Sequence, residues 1–427
     1  MSLIQWKCRS LSAGFLSVLM GASPVSAQAE NQQYWTLESS IERVVRIAPE
    51  SKVAAANIQA HRGALRQAGA WKNPTLSVLM SNKIGLDDGT GGQDLTQFAL
   101  SQPVPLFGQR SQKKSIARAG LSASIAQGDY QHLDLERQIS IRFHRLQFAS
   151  AKYELEQERL AFASDLKDVG RQREKSGDMA ILERTRLDLV RETAKQLSDK
   201  AEGEYNETLS QFRSLLNLPI GALPELKALA PIENLAPLTA YLATVPDHPL
   251  MQAADNRVKG ATASVALAKA NRLPKLSVNM YRERDFLGGR VQNSHGIGLS
   301  FTVPLWDRQG GRLTETRARV QQSYADVEIL HRDLKSSVRQ NYLHLNHLIE
   351  QGAHYRLNVF QPSRRVFDMT RKAYAAGEVE ILSLIDANNI YFDAQTGYLE
   401  LLQDAWLEAA ELRLAAGHSI FTTGQDN

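Results

Sequence analysis

The sequence predicts a mainly α-helical protein that also contributes four β-strands per chain to a shared transmembrane barrel. Three observations lead to this fold class. The second half of the chain repeats the first at a constant offset, each half contains two stretches of alternating apolar and polar residues, and a long segment with few helix breakers follows each pair. These segments are expected to form long antiparallel coiled-coil helices.

The duplication is carried by four short patterns that recur in the same order 199 or 200 residues later. Ala48-Pro49-Glu50 recurs as His248-Pro249-Leu250, and residues 73–78 recur as residues 273–278. Residues 103–107 recur as residues 302–306, and Gly177 followed by Ile181-Leu182 recurs as Gly377 followed by Ile381-Leu382. Several matches in one register are typical of an internal repeat. We predict a first structural repeat over residues 28–227 and a second over residues 228–427.

The alternating stretches predict one β-hairpin per repeat, over residues 74–107 and 274–306. In the second hairpin, residues 297–305 place apolar side chains at odd positions and Gly, Ser, Thr or Pro at even positions. Such alternation is typical of a strand that faces lipid on one side and a lumen on the other, and a hairpin of a soluble protein is the alternative. The glycine-rich residues 85–92 predict the turn of the first hairpin.

Helices are predicted on both sides of each hairpin. A first helix spans about residues 37–70, with Thr36 or Ser39 as its N-cap, and its counterpart spans about residues 237–271. A much longer helix follows each hairpin. Roughly sixty helical residues measure on the order of 90 Å, which exceeds the width of an ordinary domain.

The long helices span residues 109–176 and 311–376, the second with one proline, Pro362. Gly177 and Gly377 then break the helices, and a return helix follows each glycine. Apolar residues on both long helices follow a 3-4 spacing: Leu121, Ile125, Leu135, Ile139 and Leu146 in the first copy, and Val320, Tyr324, Val327, Leu334, Val338, Leu345 and Leu348 in the second. A period near 3.5 predicts coiled-coil packing.

The start of the chain predicts export. A basic start precedes an apolar run over residues 11–22, and the small residues Val-Ser-Ala follow at 25–27, so residues 1–27 are predicted to be a signal peptide. Cys8 is the only cysteine, so the mature chain is expected to lack disulfides, thiolate metal sites and cysteine nucleophiles. After residue 27 no uncharged apolar run of eighteen residues occurs, so a membrane location requires β-strands.

Four strands per chain predict self-association, because the smallest barrels that satisfy every backbone group in lipid need about eight strands. Two chains supply eight strands and three supply twelve, and strand counting leaves both possibilities open. Small residues on the expected lumen side, such as Ala99, Gly298 and Ser300, favour the wider barrel.

These residues resemble the outer membrane factor family, the TolC-type exit ducts, over nearly the whole mature chain. The resemblance rests on the duplicated layout, on residues 101–110 (SQPVPLFGQR) and on residues 374–387 (YAAGEVEILSLIDA). Residues 66–70 (RQAGA), followed by Asn73-Pro74, resemble the heavy-metal and cation efflux branch.

The resemblance implies a homotrimer with a twelve-stranded barrel in the outer membrane and a long periplasmic α-barrel. It implies a periplasmic adaptor protein that docks at the turns of Gly177 and Gly377, and through it an inner-membrane pump, of RND type in this branch. The function implied is a passive exit duct of a tripartite efflux system, with metal cations as cargo.

The resemblance also implies a closable periplasmic gate near the glycine turns. By position, Asp386 matches an aspartate that lines the constriction, Tyr374 matches a tyrosine that locks the closed state, and Glu183 matches its acidic partner. Ser383 stands where the family can have a second aspartate, and Val379 where an arginine can hold the closed state. We therefore expect the contacts that hold the closed state to be weaker or to involve other residues.

The sequence has no complete pattern for a metal site, an enzyme or a nucleic-acid-binding protein. His344, His347 and His354 form the tightest histidine cluster, but the sequence gives no nearby carboxylate in a fixed geometry, so no metal site is predicted. Ser111 and Lys114 have a Ser-x-x-Lys spacing without its companion motifs, and no phosphate-binding glycine loop occurs. Neither an enzyme nor a cofactor is expected, and a net charge of +4 without basic blocks does not suggest nucleic acid.

Two alternatives share the predicted helices. The chain could be an exit duct for type I protein secretion, or a trimeric coiled-coil surface protein that transports nothing. Neighbouring genes distinguish the two ducts, because a proton-driven pump with an adaptor accompanies efflux and an ABC exporter accompanies secretion. Conductance in a planar bilayer distinguishes a duct from a surface fibre.

Overall fold

The computed structural model describes residues 35–81, 95–177, 179–219, 226–287 and 290–420. The predicted signal peptide, Cys8 and the glycine-rich turn of the first hairpin lie outside these residues. In chain order, the described elements are α1 (Leu37–Ile47), α2 (Pro49–Ala68), β1 (Thr75–Met80), β2 (Thr96–Val104), α3 (Gln109–Lys175), α4 (Ile181–Leu216), α5 (Leu238–Thr244), α6 (Pro249–Ala270), β3 (Lys275–Leu287), β4 (Arg290–Thr302), α7 (Gly310–Tyr355), α8 (Gln361–Ala375) and α9 (Ile381–Ala416).

The helix ahead of each hairpin is broken, which corrects the prediction of one continuous helix. Ala48 has the extended values φ −60° and ψ 136°, because the ring of Pro49 disfavours helical geometry in the residue before it. His248 adopts the same conformation before Pro249, after a short 3₁₀ turn. The predicted N-cap is confirmed, since the Oγ1 atom of Thr36 accepts a hydrogen bond from the Ser39 backbone N–H at 3.2 Å.

The four strands form one antiparallel sheet in the order β1-β2-β3-β4. The two hairpins are joined through β2 and β3, where Ser101 pairs with Asn279 and Ala99 with Tyr281. This pairing joins segments about 180 residues apart into a single surface. The strands and the long helices together confirm the predicted fold class.

The long helix of the second copy is interrupted close to Pro362, the one proline within it. A five-residue π-helix, Arg356–Phe360, separates α7 from α8, and Pro362 lies in the first turn of α8. Proline lacks the N–H that a continuous α-helix requires, and the first turn is where this loss is tolerated. Among the described residues, none of the helices has both the length and the hydropathy to cross a membrane.

Two hydrophobic cores hold the helices together at positions related by the repeat. In the first, Leu135, Ile139 and Leu146 of α3 pack with residues of α1 and α4. In the second, Leu334, Val338 and Leu345 of α7, each 199 positions later, pack with residues of α9. The cores are consistent with duplication, and we retain the boundaries 28–227 and 228–427 as a proposal.

The predicted apolar seam is buried in the middle of the long helices but not toward the sheet. Ile125 is 40% exposed and Tyr324 is 52% exposed, so within one chain these two seam positions are not covered by a neighbouring helix. In that region α3 instead buries small side chains against α2 and α6, among them Ala119, which lies 3.4 Å from the Cβ position of Gly260. Small residues let helix backbones approach closely and leave the larger side chains outside.

Candidate functional site

The sheet has one apolar face whose side chains lie open on the surface. Register places these residues in rows across the strands: Leu76, Val78, Met80, Phe98, Leu100, Val104, Leu276, Val278, Met280, Ile297, Leu299 and Phe301. Ile297 and Leu299 expose 78% and 61% of their surface. An apolar patch of this extent marks contact with another apolar phase, such as a lipid bilayer.

Gln102 is a polar residue within this apolar face, and its side chain is hydrogen-bonded within the chain. Its side-chain amide donates hydrogen bonds to the backbone carbonyl oxygens of Lys72 and Pro103, both at 3.0 Å. The amide therefore needs no partner from outside the chain.

The opposite face of the sheet consists mainly of small or polar residues, with Leu79 and Tyr281 as exceptions. Asn279 donates to the Ser300 hydroxyl at 3.3 Å, and Gln97 donates to the Glu283 carboxylate at 3.2 Å. The ring of Tyr281 covers Gly296 so closely that a Cβ there would meet the ring carbon Cζ at 2.2 Å. One face suits lipid and the other suits water, as in a barrel strand.

Exposed aromatic residues surround the junction between the sheet and the helices. Trp306 is 92% exposed, Trp71 is 55% exposed and Phe107 is 43% exposed. Tryptophan favours the interface between membrane and water, so this aromatic collar fits one boundary of a bilayer. The alternating pattern of the strands does not predict this collar, because the three residues lie just outside the alternating stretches.

The segment 101–110 anchors this junction. Arg110 donates to the Gly69 carbonyl oxygen at 2.6 Å, and its guanidinium lies 5.3 Å from the centre of the Trp71 ring. Gln109 donates to the Ala270 carbonyl oxygen at 3.1 Å. The start of α3 is thereby tied to the ends of α2 and α6, which explains the residue types of the motif.

The sheet is open at both edges. Within the described strands, β1 pairs only with β2 and β4 pairs only with β3. Because unpaired backbone groups at an edge cannot be left in lipid, this sheet would need further strands at both edges to span a membrane.

The turns at Gly177 and Gly377 connect α3 to α4 and α8 to α9 at the ends far from the sheet. Their φ angles are +81° and +77°, in the left-handed region that favours glycine. The Gly377 N–H donates to the Tyr374 carbonyl oxygen at 3.0 Å, and the Gly177 N–H donates to the Glu174 carbonyl oxygen at 3.0 Å. Both glycines therefore close a helix C-terminus.

Replacing Gly177 by alanine is expected to destabilise the protein by about 1–2 kcal/mol, because a left-handed conformation is strained for a residue with a Cβ. Gly203 in α4 is the matched control. Open space surrounds the Cβ position of both glycines, but Gly203 is helical, so Gly203→Ala is expected to stabilise by about 0.5–1 kcal/mol. Thermal unfolding in detergent measures both, and equal shifts would contradict the assignment of the turn.

Tyr374 lies in the core between the two helical hairpins. It is buried among Leu166, Leu187 and Leu384, and the Arg173 guanidinium lies 5.0 Å from the centre of its ring. Its hydroxyl has no hydrogen-bond partner among the described residues, and the expected bond to Glu183 is not formed within the chain. Glu183 is half-buried at the start of α4.

Asp386 and Ser383 lie on an exposed face of α9, one turn apart. Leu384 and Ile385 between them point into the core, which fixes the orientation of the helix. Farther along the same face is Asp393, seven residues after Asp386. Asp393 is neutralised by Arg159, so Asp386 is the one of these two carboxylates whose negative charge remains available to attract a cation.

A buried ionic network joins the two hairpins where α3 meets α9. Arg159 donates to the Asp393 carboxylate at 2.7 Å and lies 3.7 Å from Glu156, and its guanidinium is 5.5 Å from the centre of the Phe392 ring. Glu156 and Arg159 are 4% and 8% exposed. Burial raises the pKa of Glu156, and the positive charges of Arg159 and Lys152 oppose that rise.

The network was missed in the sequence because its partners are distant along the chain. Arg159 and Asp393 are 234 residues apart, and only the packing of α3 against α9 brings them together. A helical residue with a charged side chain is ordinarily solvent-exposed, so nothing in the local pattern distinguishes Glu156 from its neighbours.

Comparison with known proteins agrees with this geometry. Residues 245–418 match the family model for outer membrane efflux proteins. This segment is therefore similar to the domain of outer membrane efflux proteins. This match confirms the resemblance to the outer membrane factor family. Among curated protein sequences, none gives a significant match.

Solved channel structures share the fold of this chain along most of its length. The structure of CusC is 18% identical over 90% of this chain and 92% of that chain, with a TM-score of 0.75. The CmeC outer membrane channel of Campylobacter jejuni is 13% identical over 96% and 94%, with a TM-score of 0.73. The MtrE outer membrane channel of Neisseria gonorrhoeae, in its open state, is 20% identical over 90% and 89%, with a TM-score of 0.72.

His144 is a buried histidine whose environment makes the stability of the protein depend on pH. His144 is 5% exposed, stacks on Trp406 at 4.7 Å between ring centres, and shares a hydrogen bond of 2.8 Å with Gln147. Burial lowers the pKa of His144 to about 4. The unfolded chain therefore binds this proton first, and stability is lost as pH falls from about 6.5 toward 4.

Removing this histidine is expected to reduce the sensitivity to acid. His144→Phe keeps the stacking on Trp406 and cannot be protonated, so up to roughly 3 kcal/mol of pH-dependent destabilisation disappears between pH 6.5 and 4. The control is His132→Gln, at an exposed position of the same helix. Melting temperatures measured from pH 7.5 to 4 test this. Parallel curves for His144→Phe and the unmodified protein would contradict it.

Proposed function

We propose that this chain is the outer-membrane exit duct of a tripartite efflux system. The observation that carries this proposal is the open sheet, with one apolar and one polar face, continuous with two long helical hairpins. The polar face lines a passage, the apolar face contacts lipid, and the helices extend the passage into the periplasm. The family of the 245–418 domain and the fold of the solved channels support this assignment.

The proposed functional unit is a homotrimer. Three chains contribute twelve strands, which close a barrel wide enough for a lumen. The open edges of β1 and β4 support assembly through strand pairing. A fibre that transports nothing does not require a sheet whose lumen-side residues are small and polar.

The turns of Gly177 and Gly377 form the proposed docking end for a periplasmic adaptor protein. The adaptor connects the duct to an inner-membrane pump, for which we propose the RND type. The duct itself conducts passively and is not an enzyme, so the pump supplies the energy. Outer-membrane lipid is the remaining partner.

The same end carries the proposed gate, formed by Asp386, Ser383, Tyr374 and Glu183. The exposed carboxylates of Asp386 from three copies repel one another, so closure has to be held by contacts of the helices around them. Tyr374 supports this role because it packs between the hairpins beside the turn of Gly377.

Loosening this gate is expected to raise conductance. Tyr374→Phe combined with Glu183→Gln removes the hydroxyl and the charge of the proposed lock and preserves both side-chain shapes. Single-channel conductance in planar bilayers is expected to increase. The control Tyr355→Phe removes a hydroxyl that contacts Gly397, farther from the turn, and is expected to leave conductance unchanged. Unchanged conductance in the double variant would overturn the gate assignment.

Metal cations are the proposed cargo, on the strength of residues 66–70 and the following Asn-Pro. A deletion strain is expected to lose tolerance to at least one of zinc, cobalt, nickel, copper and silver, and the intact gene is expected to restore it. Unchanged tolerance to all five would count against a metal cargo. A strain that instead fails to export a protein substrate would favour type I secretion.

A further inference from the structure

Near the hairpin end of the sheet, the apolar face is interrupted by a cationic patch formed by Arg282, Arg284 and His295. Beyond the patch the face continues at the apolar residue Val291. Arg282 on β3 pairs with His295 on β4, and Arg284 pairs with Asn293. All three patch side chains are exposed. Directly paired residues on neighbouring strands have Cβ atoms about 4.5–5.5 Å apart, and alternate residues along a strand are about 6.8 Å apart. The patch is therefore small enough to contact a single group.

The patch lies on the same face as the lipid-facing residues. Met280 and Ile297, which form an exposed apolar pair, are each two residues away from it in the direction of the helices. Glu283 lies between the two arginines but belongs to the opposite face, where it accepts a hydrogen bond from Gln97. Among the described residues, neither arginine takes part in an ion pair. Within the described part of the chain, two positive charges on an apolar face therefore have no ion-pair partner.

The patch lies toward the end of the sheet away from the aromatic collar. From His295 to the last residue of β4, Thr302, seven strand residues at about 3.4 Å each and a tilt of about 40° span roughly 18 Å. Residues 303–306 then turn out of the strand toward the helices. The collar adjoins the helices, so the patch lies at the hairpin end, on the side away from the periplasm.

Assembly of the duct leaves this patch open. Arg282 and Arg284 are on β3, which already has β2 on one side and β4 on the other. New copies join at the free edges of β1 and β4, so their strands extend the sheet without covering its outer face. Lipid is the phase that remains in contact with the patch.

We propose that Arg282 and Arg284, assisted by His295, bind the phosphate groups of an anionic glycolipid in the outer leaflet of the membrane. A guanidinium donates two parallel hydrogen bonds to a phosphate, which suits this ligand better than a zwitterionic lipid. The acyl chains of the same lipid lie along Met280 and Ile297. This inference rests on the proposed function, since it requires the sheet to span the outer membrane.

The test uses the full-length protein purified in detergent, with bisphosphorylated lipid A as the probe. Native mass spectrometry counts bound lipid, and titration gives the affinity. Arg282→Gln combined with Arg284→Gln is expected to weaken binding of lipid A at least tenfold. The control Arg317→Gln with Arg339→Gln removes two exposed charges from α7 and is expected to bind as the unmodified protein does. Arg282→Lys combined with Arg284→Lys keeps both positive charges but lacks the planar guanidinium that donates two parallel hydrogen bonds. This variant is expected to bind lipid A with intermediate affinity.

Two further probes separate the possible sources of the effect. Dephosphorylated lipid A and phosphatidylcholine are expected to bind weakly to every variant. Equal binding of lipid A with and without phosphate, or equal binding by the glutamine double variant and the control, would overturn the proposal. Saturable binding of inorganic phosphate alone at the same arginines would also overturn it, in favour of a soluble anion site.

Channel conductance distinguishes failure of this inference from failure of the proposed function. A protein that conducts normally but binds lipid A regardless of the two arginines contradicts only the lipid site. A protein that forms no channel and does not fractionate with the outer membrane contradicts the duct itself.

Discussion

Leu299→Lys is expected to abolish assembly in the outer membrane, whereas Ser300→Lys is expected to be tolerated. Leu299 lies on the apolar face near mid-height between His295 and Trp306, with 61% of its surface exposed. A lysine at the midplane on the lipid face of a barrel costs about 2–4 kcal/mol, and a trimer carries three copies. The adjacent Ser300 belongs to the polar face, where a charge remains in water.

Heat-resistant oligomers in outer-membrane fractions measure this difference. The two variants introduce the same side chain at neighbouring positions of one strand, so only the face differs. Ser300→Lys is further expected to change ion selectivity, since its charge enters the lumen. Equal assembly of both variants would contradict the assignment of the two faces.

The second large effect is expected at the ionic network between the hairpins. Arg159→Met leaves the Glu156 carboxylate buried without its cation, and loss of one partner of a buried pair destabilises by about 3–5 kcal/mol. Because this network joins α3 to α9, the loss is expected to fall on the contact between the two hairpins. Thermal unfolding in detergent measures it.

Two further variants identify the cause. Glu156→Leu combined with Arg159→Met replaces the pair by apolar side chains and is expected to recover most of the lost stability. Asp393→Asn removes the outer partner, whose carboxylate is 70% exposed, and is expected to cost less than about 1 kcal/mol. A double variant as unstable as Arg159→Met alone would show that packing, and not the unpaired charge, dominates.

The sequence is most informative where local chemistry decides the conformation. Strand alternation identified the lipid-facing residues of β4, because a period of two allows only one choice of face. Gly177 and Gly377 were identified as helix breaks, since a left-handed residue is ordinarily glycine. Thr36 was identified as an N-cap from its residue type and its place ahead of an apolar pattern.

Features that depend on the relative position of distant segments were not predicted. The pairing of β2 with β3 joins the two repeats, and periodicity within each strand does not specify it. The exposed positions of Ile125 and Tyr324 follow from close packing through small residues of other helices. The aromatic collar and the network of Arg159 likewise form only when separate elements meet.

The residues of the proposed gate fall between these cases. Their positions near the glycine turns could be predicted from the sequence, because Tyr374 and Asp386 lie within ten residues of Gly377. Their contacts could not, since the burial of Tyr374 depends on Leu166 and Leu187 from the other hairpin. Exposure of Asp386 follows from the opposite orientation of Ile385 on the same helix.

The mass of the detergent-extracted complex tests the central claim most directly, because four strands per chain form a barrel only in an assembly. Native mass spectrometry of the full-length protein from outer membranes is expected to give the mass of three chains. A complex of two chains would correspond to an eight-stranded barrel filled by its own side chains, and a folded, membrane-inserted single chain would require its sheet edges to be satisfied in another way. Either result would contradict the proposed twelve-stranded duct.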